Sequence, residues 1–468
     1  MRDDHLLRLQ CQGAVGEVTG SRHLLEFGER WVLIECGLIQ GGRNEAARNA
    51  AGFGFDPGEL DAVVISHAHI DHIGRLPLLV KRGFAGPIHA TRATADLARI
   101  MLEDSASLAA ADAERENRGR QRRGEDPVAP LYLQRDVVDT LRLMQPLDYG
   151  EHREILPGLS LRFEDAGHII GSAIVELVAE QRGKRRTLVF SGDLGTRGAP
   201  ILRDPTPMRQ ADLVLMESTY GDRNHRARPD TVREIGEILR GARERGGNVL
   251  IPAFAVGRTQ ELLFWFARHF DDWQLGDWQI FLDSPMATRV TELYSRHADL
   301  FDETARRAVN DGHNPFRLRN LRLITDVQDS MALNRRASGC IIIAGSGMCT
   351  GGRIRHHLRH NLWRENCDVI FPGFQARGTL GRQLVDGAEF VTLFGERVRV
   401  RARRHTVGGL SAHADQDGLA EWYGHFHGRP PVALVHGEER AREGLAERLK
   451  RDFGVTATLA RSSRWLSI

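Results

Sequence analysis

The amino-acid sequence predicts a layered α/β protein. Short runs rich in valine and isoleucine, closed by polar or glycine-bearing turns, alternate with segments whose apolar residues recur at helical spacing. This alternation of strand-like and helix-like segments is typical of layered α/β folds. The chain has 468 residues, of which 41% are hydrophobic, and this length favours two domains over one.

The strand-like runs are, in chain order, WVLIECG, DAVVISH, TLVFSGD, DLVLMES, NVLIPAF, CIIIAGSG, DVIFPGF and VALVHGE. Helical spacing predicts helices over residues 231–245, 259–270 and 440–453. Residues 113–127, AERENRGRQRRGEDP, are dense in charge, and we expect a solvated helix end or loop there, with contact to a polyanion as the alternative. Residues 397–405, RVRVRARRH, alternate arginine and valine like a half-exposed strand, and we expect their arginines to protect a sheet edge rather than bind nucleic acid.

Charge and cysteine usage narrow the class of protein. Lysine and arginine total 64 against 62 acids, so the net charge is +2 and the protein has no global basic surface. Any nucleic acid must therefore bind in a local groove. The five cysteines include no C-x-x-C pair, which argues against a disulfide framework and a thiolate zinc site and favours small buried side chains. The N-terminus MRDDHLLRLQ carries two acids, and no apolar run approaches the roughly 18 residues of a membrane span, so we expect a cytoplasmic protein.

Strong metal ligands crowd into SHAHIDHIG, residues 66–74, directly after the apolar run AVVIS. Alternate side chains of an extended chain share a face, so we expect His67, His69 and Asp71 to point the same way. His72 requires the chain to turn out of the strand. So many polar groups at a strand end are costly unless a metal satisfies them. The set of imidazoles and carboxylate without thiolates suits zinc, with manganese or iron as substitutes.

Two metals need more ligands than this segment supplies. Further candidates stand at the ends of other predicted strands: His168 in DAGHIIGSA, Asp193 in FSGDLG and His436 in ALVHGEE. We expect one metal to be bound by His67, His69 and His168, the other by Asp71, His72 and His436, and both to share Asp193. That division leaves room for a shared hydroxide, which is the open coordination that catalysis requires.

The motifs SHAHIDHIG, GHIIGSA, FSGDLG and VHGEE resemble the ordered ligand motifs of the metallo-β-lactamase superfamily. MESTYGDRNH, IPAFAVGRTQE, DSPMA, GSGMCTGGR and GGLSAHADQ resemble its β-CASP branch of nucleic-acid-processing enzymes, which includes the endonuclease subunit of pre-mRNA 3′-end formation and bacterial and archaeal ribonucleases. The resemblance covers residues 13–439. It implies an αββα sandwich made of residues 1–220 and 405–468, with a β-CASP α/β domain, residues 221–404, inserted between them.

The resemblance also implies catalytic roles beside the metal ligand Asp71. His413 in GGLSAHADQ stands where the family has its general acid. Glu217 in LMESTYG stands where the family has the carboxylate that orients this histidine and favours its protonated form. A loop histidine and a strand-end cap are the alternatives for these two residues. Glu35 in WVLIECG replaces the aspartate that usually fixes a metal ligand, and we expect this change to alter rate or metal preference without removing a ligand.

The segment CIIIAGSGMCTGGRIRHHL predicts a strand, a glycine turn and a helix whose N-terminus can bind an anion. It lacks the Lys-Ser/Thr pair of a P-loop and the third glycine of a dinucleotide fingerprint. Beside a two-metal site, we predict phosphate contacts at Ser346, Gly347 and Arg353, with a merely structural turn as the alternative. Arg258 in FAVGRTQE and Ser284 in LDSPMA are further candidates for an RNA-binding cleft.

The function implied is that of a ribonuclease with two Zn²⁺ ions that hydrolyses phosphodiester bonds of single-stranded RNA. A metal-bridging hydroxide would attack the phosphorus while His413 protonates the leaving oxygen. We expect an endonuclease and leave 5′ to 3′ exonuclease activity open. A non-catalytic RNA-binding subunit and a small-ester or thioester metallohydrolase on the same fold are the alternatives. Three further questions stay open: whether DNA is also a substrate, which RNA is the target, and whether the protein forms a homodimer.

Overall fold

All eight valine- and isoleucine-rich runs form strands in the computed structural model, which describes residues 6–42, 44–462 and 464–468. The chain folds into two units. The first unit contains residues up to Gly198, Arg203–Asn224 and His413–Ile468, and the second contains Ala199–Leu202 and His225–Ala412. All predicted metal ligands, together with Glu217 and His413, belong to the first unit.

The first part of the chain supplies most of the first unit. Its strands are β1 Leu7–Cys11, β2 His23–Phe27, β3 Arg30–Ile34, β4 Ala62–Val64, β5 Ile88–Thr91, β6 Met144–Leu147, β7 Arg153–Leu156, β8 Leu159–Asp165, β9 Ala173–Gln181, β10 Lys184–Phe190 and β11 Leu213–Met216. Its helices are α1 Glu45–Ala50, α2 Ile70–Ile73, α3 Leu76–Lys81, α4 Arg92–Arg123 and α5 Gln134–Arg142. The charge-dense residues 113–127 thus form the end of α4 and the loop that follows it.

The second unit is built on one sheet with helices between its strands. Its strands are β12 Val249–Pro252, β13 Gln279–Leu282, β14 Leu321–Leu323, β15 Cys340–Ala344, β16 Asp368–Phe371, β17 Phe390–Leu393, β18 Glu396–Arg399 and β19 Arg403–Thr406. Its helices are α6 Arg228–Arg245, α7 Arg258–Arg268, α8 Pro285–Arg296, α9 Glu303–Asn310, α10 Val327–Leu333, α11 Ile354–Asn361 and α12 Leu380–Val385. The sheet order is β14-β13-β15-β12-β16-β19, every neighbouring pair is parallel, and β17 and β18 form a separate hairpin.

The chain then returns to the first unit and completes both of its sheets. The returning elements are α13 Gln416–Gly424, β20 Val432–Leu434, α14 Glu439–Phe453, β21 Thr458–Leu459 and β22 Trp465–Ser467. One sheet has the order β22-β1-β2-β3-β4-β5-β6 and the other β21-β20-β11-β10-β9-β8-β7. Short 3₁₀ turns cover Pro57–Glu59, Leu275–Asp277 and Ala298–Leu300.

The core of the first unit lies between its two seven-stranded sheets. Buried side chains of one sheet, such as Leu25 and Val32, pack in a single cluster with Phe163 and Leu177 of the other. On the outer face of the second sheet, α13 and α14 bury Trp422, Tyr423, Leu445 and Leu449 against Val189 and Val214. Helix α4 contacts β5 and β6 of the first sheet. These helix, sheet, sheet and helix layers confirm the predicted α/β sandwich.

Residues 397–405 form two strands where we predicted one. β18 pairs with β17, whereas β19 pairs with β16 and is the edge strand of the six-stranded sheet. The strand breaks because the N–H groups of Arg401 and Ala402 both donate to the carbonyl of Leu362 instead of to a neighbouring strand. All five cysteines are buried and unpaired, as predicted. Within the described ranges, every helix is too short or too polar to cross a membrane.

The strand directions of the first unit bring its chemistry to one edge. β10, β11 and β20 are mutually parallel neighbours, and β8 runs in the same direction because β9 is antiparallel to both β8 and β10. The carboxyl ends of these strands therefore lie together, and β3 and β4 of the other sheet are likewise parallel. Predicted site residues follow directly after these strands: Glu35, His67, His168, Asp193, Glu217 and His436.

Candidate metal centre

The segment SHAHIDHIG leaves the sheet earlier than we predicted. β4 ends before His67, and the short helix α2 carries Asp71 and His72. The expectation that His67, His69 and Asp71 share one face of a strand is therefore wrong. The reason is a helical turn: the N–H groups of His72 and Ile73 both donate to the carbonyl of His69, at 2.9 and 3.1 Å.

Three histidines nevertheless converge as the first ligand group. Nδ1 of His69 lies 3.1 Å from Nε2 of His67 and 3.2 Å from Nε2 of His168. His67 and His168 are buried and His69 is partly buried. Together with Asp193, these histidines offer four ligand atoms within 4.8 Å of one another.

Asp71, His72 and His436 form the second group. Nε2 of His72 lies 3.1 Å from Nε2 of His436. Oδ2 of Asp71 is 3.5 Å from Nε2 of His436 and 3.8 Å from Nε2 of His72. The helical turn of α2 supplies two of these side chains, and the loop after β20 supplies the third.

Asp193 lies between the two groups. Its Oδ2 is 3.4 Å from Nε2 of His67 in the first group and 3.4 Å from Nε2 of His72 in the second. Its Oδ1 is buried and makes no hydrogen bond among the residues the structure describes. A buried carboxylate oxygen without a donor is costly, so this atom is poised to accept a cation.

The protonation states suit metal ligands. Burial lowers the pKa of His67 to about 4 and that of His69 to about 3, with a neighbouring imidazole adding to each effect. Burial also lowers the pKa of His168 well below its ordinary value. Burial alone would raise the pKa of the Asp71 and Asp193 carboxyls, but the surrounding imidazoles hold both below their ordinary values. Neutral imidazoles and ionised carboxylates are the forms that bind metal.

The spacing of these ligand atoms fits zinc. Nitrogens about 2.0–2.1 Å from a tetrahedral zinc ion lie about 3.3 Å from one another. The nitrogen–nitrogen distances of 3.1 Å and 3.2 Å in the two groups are close to that value. A neutral imidazole can share only one proton, so three converging nitrogens are better satisfied by a cation than by one another.

Glu35 is buried and holds His72. Its Oε2 lies 2.5 Å from Nδ1 of His72, and its Oε1 accepts the N–H of Ser66 at 2.6 Å. This contact fixes the imidazole ring and leaves Nε2 for the second group. Burial would lower the pKa of His72, but the carboxylates of Asp193, Glu35 and Asp71 raise it well above its ordinary value. A cation in the second group would take the place of that proton.

His413 and Glu217 lie beside the two groups. Nδ1 of His413 is 3.4 Å from Glu217 and 3.9 Å from Oδ2 of Asp193. Glu217 is buried, and its carboxylate accepts the N–H of Leu194 and the hydroxyl of Thr219, each at 2.6 Å. Burial would lower the pKa of His413, but Glu217 and Asp193 raise it to about 9. His413 is therefore cationic at neutral pH while the histidines of the first group are neutral.

Two hydroxyl groups that sequence analysis missed support the ligands. The hydroxyl of Thr219 lies 3.1 Å from Nδ1 of His436 as well as contacting Glu217. The hydroxyl of Ser66 lies 3.0 Å from Nδ1 of His67. Both residues stand inside motifs that we had singled out, MESTYG and SHAHIDHIG. The available signal was a hydroxyl within two positions of a predicted site residue.

The predicted phosphate contacts lie in the second unit, after neighbouring parallel strands. Ser346 and Gly347 follow β15, and Ser284 follows β13 and accepts the N–H of Ala287 at 3.2 Å as the cap of α8. The hydroxyl of Ser346 accepts the N–H groups of Thr350 and Gly351 at 3.0 and 3.2 Å. Among the described residues, the N–H groups of Gly347 and of the next residue, Met348, have no acceptor.

The two predicted arginines are held by carboxylates of the same unit. Nη1 of Arg258 donates to Glu261 at 2.6 Å. Arg353 donates from Nη1 to Asp283 and from Nη2 to the carbonyl of Thr325, both at 2.7 Å. These contacts tie the guanidinium of Arg353, at the start of α11, to Asp283 and to the segment after β14.

Family comparisons divide the chain into three matched regions. Residues 16–252 match the metallo-beta-lactamase superfamily, and residues 259–384 match the Beta-Casp domain. Residues 397–460 match a family described as the Zn-dependent metallo-hydrolase RNA specificity domain.

Similar proteins span nearly the whole chain. Ribonuclease TTHA0252 of Thermus thermophilus is 46% identical over 95% of this chain and 96% of its own length. Transcription termination factor FttA of Pyrococcus abyssi is 31% identical over 96% of this chain and 69% of its own length, and that of Thermococcus kodakarensis is 30% identical over the same shares. A crystal structure of a protein of unknown function from Enterococcus faecalis V583 has a TM-score of 0.56 at 10% identity, covering 99% of this chain and 100% of that one, which is a likeness of fold alone.

Proposed function

This chain belongs to the β-CASP branch of the metallo-β-lactamase superfamily, and on that premise we propose that it is a metal-dependent ribonuclease acting on single-stranded RNA. The observation that carries the proposal is the pair of ligand groups that share Asp193. The name of the most similar of the relatives described above, a ribonuclease, points to RNA as the substrate.

We assign two Zn²⁺ ions to the centre, with manganese or iron as substitutes. One ion would be held by His67, His69 and His168. The other would be held by Asp71, His72 and His436, and Asp193 would contribute to both sites. Bound there, a pair of divalent cations supplies an activated water and Lewis-acid stabilisation of the phosphate charge. Glu35 keeps the ring of His72 in position, and its longer side chain still reaches Nδ1 at 2.5 Å.

His413 serves as the proton donor in this proposal. Its Nδ1–H faces Glu217, so the proton on Nε2 is the one available to a ribose oxygen that leaves the phosphorus. Glu217 is itself fixed by Leu194 and Thr219 and therefore holds the imidazole in one orientation. The turn of residues 345–352 binds the RNA backbone through the free N–H groups of Gly347 and Met348.

A single-stranded substrate suits the charge of the protein. Binding to a duplex draws most of its affinity from neutralising many phosphates with lysine and arginine. The net charge here is +2, and many arginines are already paired with acids. A single strand held at a few points needs fewer cationic contacts.

A cleavage assay with labelled strands tests the function. Zinc-loaded wild-type protein should cut 5′-labelled single-stranded RNA into internal fragments and act more slowly on an RNA duplex. Asp71→Ala and His436→Ala should lose this cleavage, whereas His427→Ala, a change at an exposed histidine, should keep it. Zinc content is measured for every sample, because full cleavage by a variant that has lost zinc would exclude the two-metal centre.

Parallel substrates separate the alternatives. Cleavage of DNA of the same sequence shows whether the protein accepts deoxyribose as well as ribose. Release of mononucleotides instead of internal fragments would indicate an exonuclease. Hydrolysis of a thioester without cleavage of RNA would favour a small-ester hydrolase. Tight RNA binding by zinc-loaded protein with no hydrolysis of any substrate would favour a non-catalytic binding subunit.

A further inference from the structure

Two exposed phenyl rings stand at the carboxyl edge of the six-stranded parallel sheet. Phe254 follows β12 and Phe374 follows β16, and these strands are neighbours. Phe254 is 49% exposed and Phe374 is 56% exposed. Burying a phenylalanine side chain is worth about 1.5–3 kcal/mol, so leaving two in solvent forgoes stability that a bound ligand can recover. The carboxyl edge of a parallel sheet is also where α/β proteins bind their ligands.

The ring of Phe254 and the loop that carries Phe374 both contact the turn of residues 345–352. The ring of Phe254 lies so close to Gly347 that a Cβ there would come within 2.8 Å of it. Gln375 is buried, and its side-chain amide donates to the carbonyls of Gly347 at 3.0 Å and Phe374 at 3.1 Å. Oε1 of Gln375 packs against Gly381, where an added Cβ would lie 1.7 Å from it. The loop that carries Phe374 is therefore tied to the turn that Phe254 covers.

The turn and the loop that carries Phe374 also hold groups that attract anions. The N–H groups of Gly347 and Met348 have no acceptor in the described part of the chain. Arg377 lies in the same loop as Phe374, is exposed, and forms no ion pair with the described residues. Aromatic faces combined with a cationic side chain and backbone donors are the features with which proteins bind single-stranded nucleic acid, because bases stack on the rings while phosphates meet the donors.

We propose that Phe254 and Phe374 are stacking platforms for two unpaired bases of the RNA strand whose backbone binds the turn of residues 345–352. This inference rests on the proposed ribonuclease function and adds to it the means by which the second unit recognises an unpaired strand. An apolar segment of a protein is a poorer occupant, because the turn and the loop that carry these rings offer N–H groups without acceptors and a cation instead of further apolar area.

An abasic strand provides the direct test. It carries the same phosphates as the RNA but no bases, so stacking contributes only to binding of the RNA. Dissociation constants are measured by fluorescence anisotropy in the Asp71→Ala background, where the RNA stays intact. Phe254→Leu and Phe374→Leu should each weaken binding of the RNA about 5- to 100-fold and leave binding of the abasic strand unchanged. Phe390→Leu is the matched control, because Phe390 is an exposed phenylalanine of the same unit, 40% exposed beneath Arg397.

The remaining outcomes decide against the inference. Equal binding of RNA by all three variants would overturn it, as would an equal loss for RNA and abasic strand, which would mean that the rings support the turn instead of the bases.

Far-ultraviolet circular dichroism checks that each variant is folded. RNA carrying 2-aminopurine gives a second readout, since its fluorescence should be quenched on binding and recover in the leucine variants. Cleavage by wild-type protein is scored separately, so loss of the ribonuclease proposal and loss of the stacking proposal are distinguishable.

Discussion

At the scale of one residue, His413 belongs to neither ligand group, so its proposed role in proton transfer can be tested separately from metal binding. Its Nδ1 faces Glu217, whereas the groups that converge on the metal positions do not need it. His413→Ala should therefore lower the rate of RNA cleavage roughly 10²- to 10⁴-fold and leave zinc content unchanged. Single-turnover cleavage and elemental analysis of the same sample provide the measurement.

The control for this variant is His427→Ala, which removes an exposed imidazole from the same unit. Loss of zinc together with activity would identify His413 as a ligand and contradict its assignment as proton donor. Glu217→Gln should give a smaller loss of rate, because the amide still fixes the ring but no longer favours its charged form.

The backbone at two residues of the centre is held in a conformation that most residues avoid. Glu35 has φ of 64° and His436 has φ of 50°, in the left-handed region. Non-glycine residues pay roughly 1–2 kcal/mol for this conformation. In both cases it aims a side chain at His72, which suggests that the fold accepts local strain in order to place the second ligand group.

Most of the predicted metal ligands were chosen from the sequence because they stand at or just after the end of an apolar strand, whereas His413 and Glu217 were chosen from the family resemblance. Clustered polar side chains at such positions are costly unless something satisfies them, and the structure brings seven predicted ligands close together. Thr219 and Ser66 were not found in the same way, because a hydroxyl close to a histidine or an acid in sequence is common, and the contact of Thr219 with His436 depends on β11 and β20 lying side by side. The ligand assignments themselves stay predictions until metal is measured.

At the scale of elements, the turn that carries Asp71 and His72 is pressed against Gly37. A Cβ on Gly37 would lie 1.5 Å from the backbone oxygen of Asp71. Gly37→Ala must therefore displace α2, and we expect it to lower zinc affinity at least roughly 10-fold and to destabilise the first unit by about 1–3 kcal/mol. Zinc content after dialysis against a chelator and the urea midpoint report these two effects.

Gly52→Ala is the matched control for the glycine variant. No atom lies within 4 Å of a Cβ built on Gly52, and its φ is not in the left-handed region. It should bind zinc and unfold like the wild-type protein. Wild-type zinc retention by Gly37→Ala would show that α2 can move without loss of the centre.

Element boundaries were the least predictable part of the fold. The apolar pattern of AVVIS predicted the position of β4 but not its end at Val64. An apolar pattern does not show at which residue the backbone stops bonding to a neighbouring strand and begins the helical turn of α2. For the same reason the sequence predicted a single strand over residues 397–405. In the structure the carbonyl of Leu362, which is distant in sequence, accepts two N–H groups of this segment and so splits it into two strands.

At the scale of the whole molecule, a buried histidine links folding to pH. His89 in β5 is 6% exposed, and neither of its ring nitrogens has a partner among the described residues. Burial lowers its pKa to about 4, with Arg153 adding to the effect. Between pH 6.5 and about 4 the unfolded chain takes up a proton on this residue that the folded chain excludes, so stability falls as the pH falls through this window.

His89→Leu should remove this pH dependence. The free energy of unfolding of the wild-type protein, relative to the variant, should decrease by up to roughly 3 kcal/mol from pH 7 to pH 4. Urea unfolding of both proteins in the presence of a chelator provides the comparison, since proton uptake by the ligand histidines then affects both alike. Parallel pH profiles for the two proteins would contradict the assignment.

The architecture was predictable because its layers follow from patterns within single segments. The division of the chain between the units is a long-range property, since the closing strands β20, β21 and β22 come after residue 412. Only the resemblance to known motifs pointed to an interrupted sandwich.

This interruption has a consequence for synthesis. A ribosome adds roughly 5–20 residues per second, so His436 emerges many seconds after His67, when the intervening unit has already been made. A polypeptide cut short anywhere in that unit has an incomplete sandwich and only part of its cation sites. The predicted metal centre is therefore complete only after the last part of the sandwich has been made.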